Sequence, residues 1–317
     1  MLLSRTIIGL GASAAGVPAA LIVHVVSARL LGTTRFGDFA YALAWLGVGQ
    51  MLASAGAQHT ILRFGSQYYS SREHGRWRRL LRWGVCRACV CGIGVGAIVA
   101  GVSAAMPGLT VDTRVACLAA AVGAPVVGLS LVLGGSVQGV HLAHIEALLR
   151  LVVRPCIFVA MLLLVGNSLD QPLTGAGAMT LHVLCYAPLA LAFAALSLRA
   201  TVESRVVVGT ERERELREWR GMANDSIFAV FGNQLWQQGD KLVVGSMLAM
   251  SEAGVYAAAW RVAAVILIGV QSATAIIGPN VAEALGKGDR RSAYSVVDVA
   301  TGVAVIWAGL ATLFLIF

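Results

Sequence analysis

"VACLAAAVGAPVVGLSLVLGGSVQG" (residues 115–139) runs for 25 residues without a charge. Wound as a helix, such a stretch crosses the ~30 Å hydrocarbon core of a bilayer, which takes about 20 apolar residues. It lacks the strict polar/apolar alternation over about 10 residues that a membrane β-barrel strand needs. Eight more apolar runs lie on either side, at 6–30, 39–62, 81–106, 147–166, 174–198, 226–248, 255–279 and 294–316. Composition agrees: of 317 residues 58% are hydrophobic and 13% charged, with a mean hydropathy of +0.78, well beyond a water-soluble domain. The expected fold class is all-α, a polytopic membrane helix bundle of about nine transmembrane helices.

The net charge of +8 does not indicate a nucleic-acid partner, because the basic residues collect in loops on one side. Arg63, Arg72, Arg76, Arg78, Arg79 and Arg82 follow the second run. Arg199, Arg205, Arg212, Arg214, Arg217 and Arg220 follow the sixth, and Lys287, Arg290 and Arg291 the eighth. The opposite side holds Arg29, Arg35 and Arg114. The positive-inside rule then places the N-terminus in the cytoplasm and, with nine spans, the C-terminus outside. The first run, without a small-x-small cleavage site, reads as an uncleaved first helix rather than a signal peptide. Six cysteines fall inside the expected spans and read as small residues at helix contacts, not as a metal site.

Gly92/Gly96 and Gly135/Gly139 have the spacing that lets helix backbones approach closely in lipid. "SREHGRWRRLLRW" (71–83) sets Trp77, Leu80, Leu81 and Trp83 among arginines and suits a short helix in the anionic headgroup region. "GTERERELREWRG" (209–221) alternates charge, pairs Glu213 with Arg217 at helical spacing, and reads as a solvated connector.

One pattern occurs twice. "GTTRFGDFAYALAW" (32–45) returns as "AMSEAGVYAAAWR" (249–261); a shift of 217 sets Leu31 on Leu248, Gly37 on Gly254, Phe39 on Tyr256 and Ala40 on Ala257. An even number of spans separates the copies, so both point the same way through the membrane. Parallel repeats related by an axis along the membrane normal are one transporter architecture. The organisation this predicts is a first six-helix lobe over 1–198, a cytoplasmic connector over 199–225, and the start of a second lobe, three helices, over 226–317.

Four stretches, "ARLLGTTRFGDFAYALAW" (28–45), "RFGSQYYSSREHGRWRRLLRW" (63–83), "DKLVVGSMLAMSEAGVYAAAWRVA" (240–263) and "IIGPNVAEALGKGDRRSAY" (276–294), resemble the polysaccharide biosynthesis flippases. These belong to the multidrug, oligosaccharidyl-lipid and polysaccharide exporter superfamily. The resemblance covers essentially the whole chain, through glycine and aromatic positions. It implies two six-helix lobes around a central cavity and movement of undecaprenyl-pyrophosphate-linked repeat units, of O-antigen, capsule or exopolysaccharide, across the bacterial inner membrane. The implied partners are that lipid-linked oligosaccharide, membrane lipids and other polysaccharide assembly proteins; no cofactor is implied. Twelve or more helices would be usual, against nine here, so a truncated, inactive paralogue is one alternative. A cation-coupled drug antiporter of the same superfamily and a membrane-embedded polymerase or glycosyltransferase are others. No phosphate-binding loop, paired carboxylates or Ser/His/Asp grouping points to an enzyme.

A pyrophosphate crossing a membrane needs a lined aqueous path with cations, so ionisable residues inside spans are the candidates. Asn233, Gln234, Gln237, Gln238, Asp240 and Lys241 share one face of the seventh span, opposite Leu235, Trp236, Leu242 and Val243. The shift of 217 sets Lys241 on His24; His24 and Asp240 are the candidates for proton coupling. Glu146, Arg150 and Arg154 form a stripe at i, i+4 and i+8, and arginine suits phosphate. Arg29 and Arg261 complete the expected translocation lining, either of them a partner for Asp240 when the outer side closes.

Overall fold

The computed structural model describes residues 2–168, 172–199, 212–264 and 290–316, and no strand occurs among them. The chain divides into two compact units, Met1–Ala257 and Ala258–Phe317. The first begins with α1 (Leu2–Ser54), which is two helices meeting at Gly32, where φ is 73°. That value belongs to the left-handed region glycine enters without strain, so the backbone turns there between the first two expected spans. The second of these ends at Ser54, not residue 62: Ala55 and Gly56 also take positive φ, and α2 (Ala57–Ser70) starts in a new direction.

Helices α3 (His74–Ala105) and α4 (Val111–Gly139) follow. Next comes α5 (Ala143–Leu148), a π-helical turn (Leu149–Val153) and α6 (Arg154–Ser168). Pro155 causes the irregularity. It has no N–H for the carbonyl of Leu151, and the ladder slips by one residue so that the Arg154 N–H donates to Leu149 O. Helices α7 (Gly175–Leu184) and α8 (Tyr186–Arg199) join at Cys185, where Pro188 leaves the carbonyl of Leu184 without its donor. Among the described residues, five helices are long and apolar enough to cross a membrane: Pro18–Ser54, His74–Ala105, Val111–Gly139, Ala143–Ser168 and Gly175–Arg199. The chain is a multi-pass membrane protein with an all-helical fold.

In this unit α4 is the central helix, packed by α1, α2, α3, α7 and α8. Lipid offers no hydrophobic drive between helices, so close backbone packing and hydrogen bonds must hold them. The glycine pairs do this: a Cβ on Gly92 would lie 2.5 Å from Pro125 Cα, and one on Gly96 2.5 Å from the Ala121 carbonyl oxygen. On α4, Gly135 rests against the Gln58 carbonyl of α2. Buried polar groups close the rest, Thr113 Oγ1 donating to Asp38 Oδ1 at 2.6 Å and Ser136 meeting Ser197. The cysteines are only partly at such contacts: Cys117 and Cys185 are buried, but Cys86 and Cys156 are exposed.

α9 (Arg212–Met247) is a single 36-residue helix. It corrects the reading of 209–221 as a solvated connector, because from Arg212 onward that stretch is the first part of the helix that continues into the expected seventh span. Glu215 and Trp219, one turn apart, are buried. Trp219 Nε1 donates to Tyr68 Oη at 3.2 Å, and burial pushes the Tyr68 phenol up, keeping it neutral. Glu215 accepts from Arg76 Nε at 2.7 Å and Arg79 Nη2 at 3.1 Å. The local ion pair is Arg214 with Glu218, not Glu213 with Arg217. The stretch 71–83 also turns inward, with Trp77 and Leu80 each 1% exposed. Only part of it faces outward as a headgroup helix would. Residues 200–211 of the connector lie outside the described residues.

Helix α10 is described over 250–264, its residues to Ala257 belonging to the first unit and the rest to the second. The second unit further contains α11 (Arg290–Ile316), with Val303, Ile306 and Leu310 exposed. The end of the eighth expected span and most of the basic loop at 286–291 lie outside the described residues.

Candidate functional site

The two copies of the repeated motif meet. A Cβ on Gly37 would overlap the Met250 carbonyl, and one on Gly254 would overlap the Thr33 carbonyl. Under the shift of 217, Thr33 becomes Met250 and Gly37 becomes Gly254. The contact is therefore reciprocal, residue i touching j′ while j touches i′, which is the signature of a local two-fold axis. Each motif follows a backbone break, at Gly32 in α1 and at Leu248–Ala249 between α9 and α10. Glycine is needed on both sides because a carbonyl oxygen occupies the space of a side chain.

From this contact α9 runs beside the second half of α1. Gln234, Gln238 and Gly245, at i, i+4 and i+11, touch it, and Lys241, at i+7, lies in the same row. Gln234 Nε2 donates to Gly47 O at 2.9 Å. The Gln238 side chain would lie 3.2 Å from a Cβ on Gly47, and Gly245 sits under the Tyr41 ring. Lys241, 8% exposed, donates through Nζ to Gln237 O at 2.7 Å and Gln238 Oε1 at 2.9 Å. Asp240, on the next flank, accepts from Tyr256 Oη at 2.8 Å and from the Lys241 N–H at 2.8 Å. Asn233 and Gln237 on that flank are exposed. Trp236 and Val243, on the far side, are 86% and 56% exposed. The polar face is thus divided: one row closes against α1 and one stands open.

His24, the counterpart of Lys241, donates through Nδ1 to Ala20 O at 3.0 Å. Ala20 is the counterpart of Gln237, so both side chains return to the carbonyl four residues back. Arg29 is exposed and forms no ion pair with Asp240, whose second oxygen Tyr256 takes instead.

Within the first unit the π turn breaks the stripe of Glu146, Arg150 and Arg154. Glu146 is buried and pairs with Arg150, and Gln138 Nε2 donates to it at 2.9 Å. Arg154 turns away from that pair. Its guanidinium lies 4.6 Å over the Tyr186 ring, while Nε and Nη1 are buried without a hydrogen-bond partner among the described residues. Beyond Tyr186 lie His182 at 5.6 Å and Phe158, 5.0 Å from His182. Buried guanidinium donors left open are what an anionic oxygen would satisfy. His182 and Tyr186 carry no spacing signal in the sequence, since each lies alone in an apolar helix. Arg261 belongs to the second unit, where its guanidinium lies 5.3 Å over the Trp260 ring.

A family model described as "Polysaccharide biosynthesis protein" matches residues 2–283. No curated protein matches the chain. A solved MOP superfamily transporter from Pyrococcus furiosus is 14% identical, with 96% of this chain and 77% of that one covered and a TM-score of 0.40.

Proposed function

Because the chain belongs to the polysaccharide biosynthesis protein family, we propose that it is a transporter, not an enzyme, which flips a lipid-linked oligosaccharide across the bacterial inner membrane by alternating access. The substrate would be an undecaprenyl-pyrophosphate-linked repeat unit of O-antigen, capsule or exopolysaccharide. The N-terminus and the arginine-rich end formed by α2, α3 and the start of α9 would face the cytoplasm.

The observation that carries this reading is the reciprocal contact of Gly37 with Gly254. A two-fold seam between two parallel repeats lets one lobe rock against the other without breaking either core. With the seam shut, the polar row of α9 is sealed against α1. Opening it would add Gln234, Gln238 and Lys241 to the already exposed Asn233 and Gln237 and the half-buried Asp240. Lys241 would then meet the pyrophosphate as a cation, with Gln234, Gln237 and Gln238 hydrogen-bonding sugar hydroxyls. Arg29, Arg150 and Arg154 would extend the positive lining of the first unit, and Arg261 would be the cationic candidate of the second. His24 and Asp240 would be the groups that couple the cycle to protons.

Gene deletion followed by analysis of lipid-linked intermediates tests it. Precursor accumulating on the cytoplasmic side, with loss of surface polysaccharide, is expected. Unchanged polysaccharide without accumulation would refute it.

A further inference from the structure

A second site lies away from the seam. Between α3 and the start of α9 is a cavity of about 320 Å³ lined by Arg79, Arg82, Trp83, Cys86, Leu216 and Trp219, with Glu215 at its wall. We infer that it binds the phosphate of an anionic membrane lipid, with the acyl chains lying along α3.

The charge of the cavity is positive where a ligand would reach it. Glu215 is already engaged by Arg76 and Arg79, and Glu73 by Arg76 at 2.8 Å. Arg79 keeps its Nε buried without a partner, and Arg82 is exposed and outside every ion pair among the described residues. Two arginines offering unspent N–H groups recognise phosphate in preference to a neutral headgroup. Trp83, half-buried, packs on the buried Trp219 with ring centroids 5.9 Å apart, and both wall the cavity. A partly exposed indole such as that of Trp83 suits the depth where headgroup meets hydrocarbon.

A soluble anion would need only the arginines. The surface that continues from them is apolar: on the face of α3 that begins at Arg82 and Cys86 come Val90 and Ile93, 72% and 66% exposed, in a membrane-crossing helix. Head and tail of an amphiphile are thus matched by one continuous face. Because Leu216 and Trp219 belong to α9, a lipid bound here would clip α9 to α3 and stabilise the docking of the second repeat's first helix. This assignment does not depend on the transport reading.

The test is thermal unfolding of the full chain in neutral detergent, titrated with phosphatidylglycerol, phosphatidylcholine or inorganic phosphate. Phosphatidylglycerol alone should raise Tm. Arg82→Gln should need about 5-fold more of it, corresponding to the ~1 kcal/mol contributed by one arginine at an anionic surface. Arg82→Lys should recover most of that loss, and Arg217→Gln, an exposed arginine outside the cavity, should match the parent. Equal stabilisation by phosphatidylcholine, an unchanged response in Arg82→Gln, or equal stabilisation by inorganic phosphate would each overturn the lipid assignment.

Discussion

Leu31 and Leu248 hold the same place in the two copies of the repeat, yet Leu31 is 4% exposed and Leu248 52%. One turn into the following helix the contrast returns. Asp38 is 3% exposed and bonded to Thr113, whereas its counterpart Val255 is 58% exposed. Phe39 is fully buried, whereas Tyr256 reaches Asp240 with its hydroxyl. Three positions behave alike: Gly37 and Gly254, Ala40 and Ala257, and the pair His24 and Lys241 in their bond to a carbonyl four residues back. Positions that agree include those where the copies touch each other. Positions that differ face the separate surroundings of each copy. The repeat is therefore held in common at its axis and specialised away from it, with apolar Val17, Leu21 and Val23 in the first copy where the second has Gln234, Gln238 and Asp240.

The largest effect is expected at the axis. Gly37→Val or Gly254→Val puts a branched side chain into a carbonyl of the other copy. Each should lower transport by on the order of 10-fold or more, since a misfit of 1–3 kcal/mol in a packed contact is not relieved by one rotamer. Gly94→Val and Gly302→Val, at positions with open space around them, should leave the rate unchanged; matching losses at all four would break the argument for an axis. Next comes the Lys241/His24 pair. Lys241→Ala should reduce transport by roughly 10-fold, the weight of a single charge-assisted contact, and His24→Ala by less than about 3-fold. Equal losses would show that both lobes bind substrate and remove the specialisation. The smallest difference is in stability. Leu31→Ala should cost about 2–5 kcal/mol and Leu248→Ala under about 1 kcal/mol, measured as a denaturation shift.

Hydropathy made most of the fold legible, because in a bilayer the length of an apolar run and its freedom from charge leave helix as the outcome. The break at Gly32 was legible for the same kind of reason, as a glycine between two apolar runs. Three features were not. Arg154 reads as the end of a stripe with Glu146 and Arg150 only if the helix is regular, and the missing N–H of Pro155 moves it onto Tyr186 instead. Glu215 and Trp219 sit in a stretch whose alternating charges look solvated; their burial depends on Arg76, Arg79 and Tyr68, far away in sequence. The repeat itself announced equivalence but not adjacency. Only the reciprocal approach of Gly37 and Gly254 reveals that the copies face each other.

The most direct test of that seam is a disulfide across it. Gly47 and Gln238 face each other where a Cβ on Gly47 would lie 3.2 Å from Gln238 Cγ, the atom one bond beyond the Cβ that a disulfide would hold about 3.5–4.5 Å from its partner. With the six native cysteines replaced, Gly47→Cys combined with Gln238→Cys should cross-link on mild oxidation, stop transport, and regain it on reduction. Failure to cross-link, or full transport by the cross-linked protein, would contradict a seam that closes and opens during the cycle.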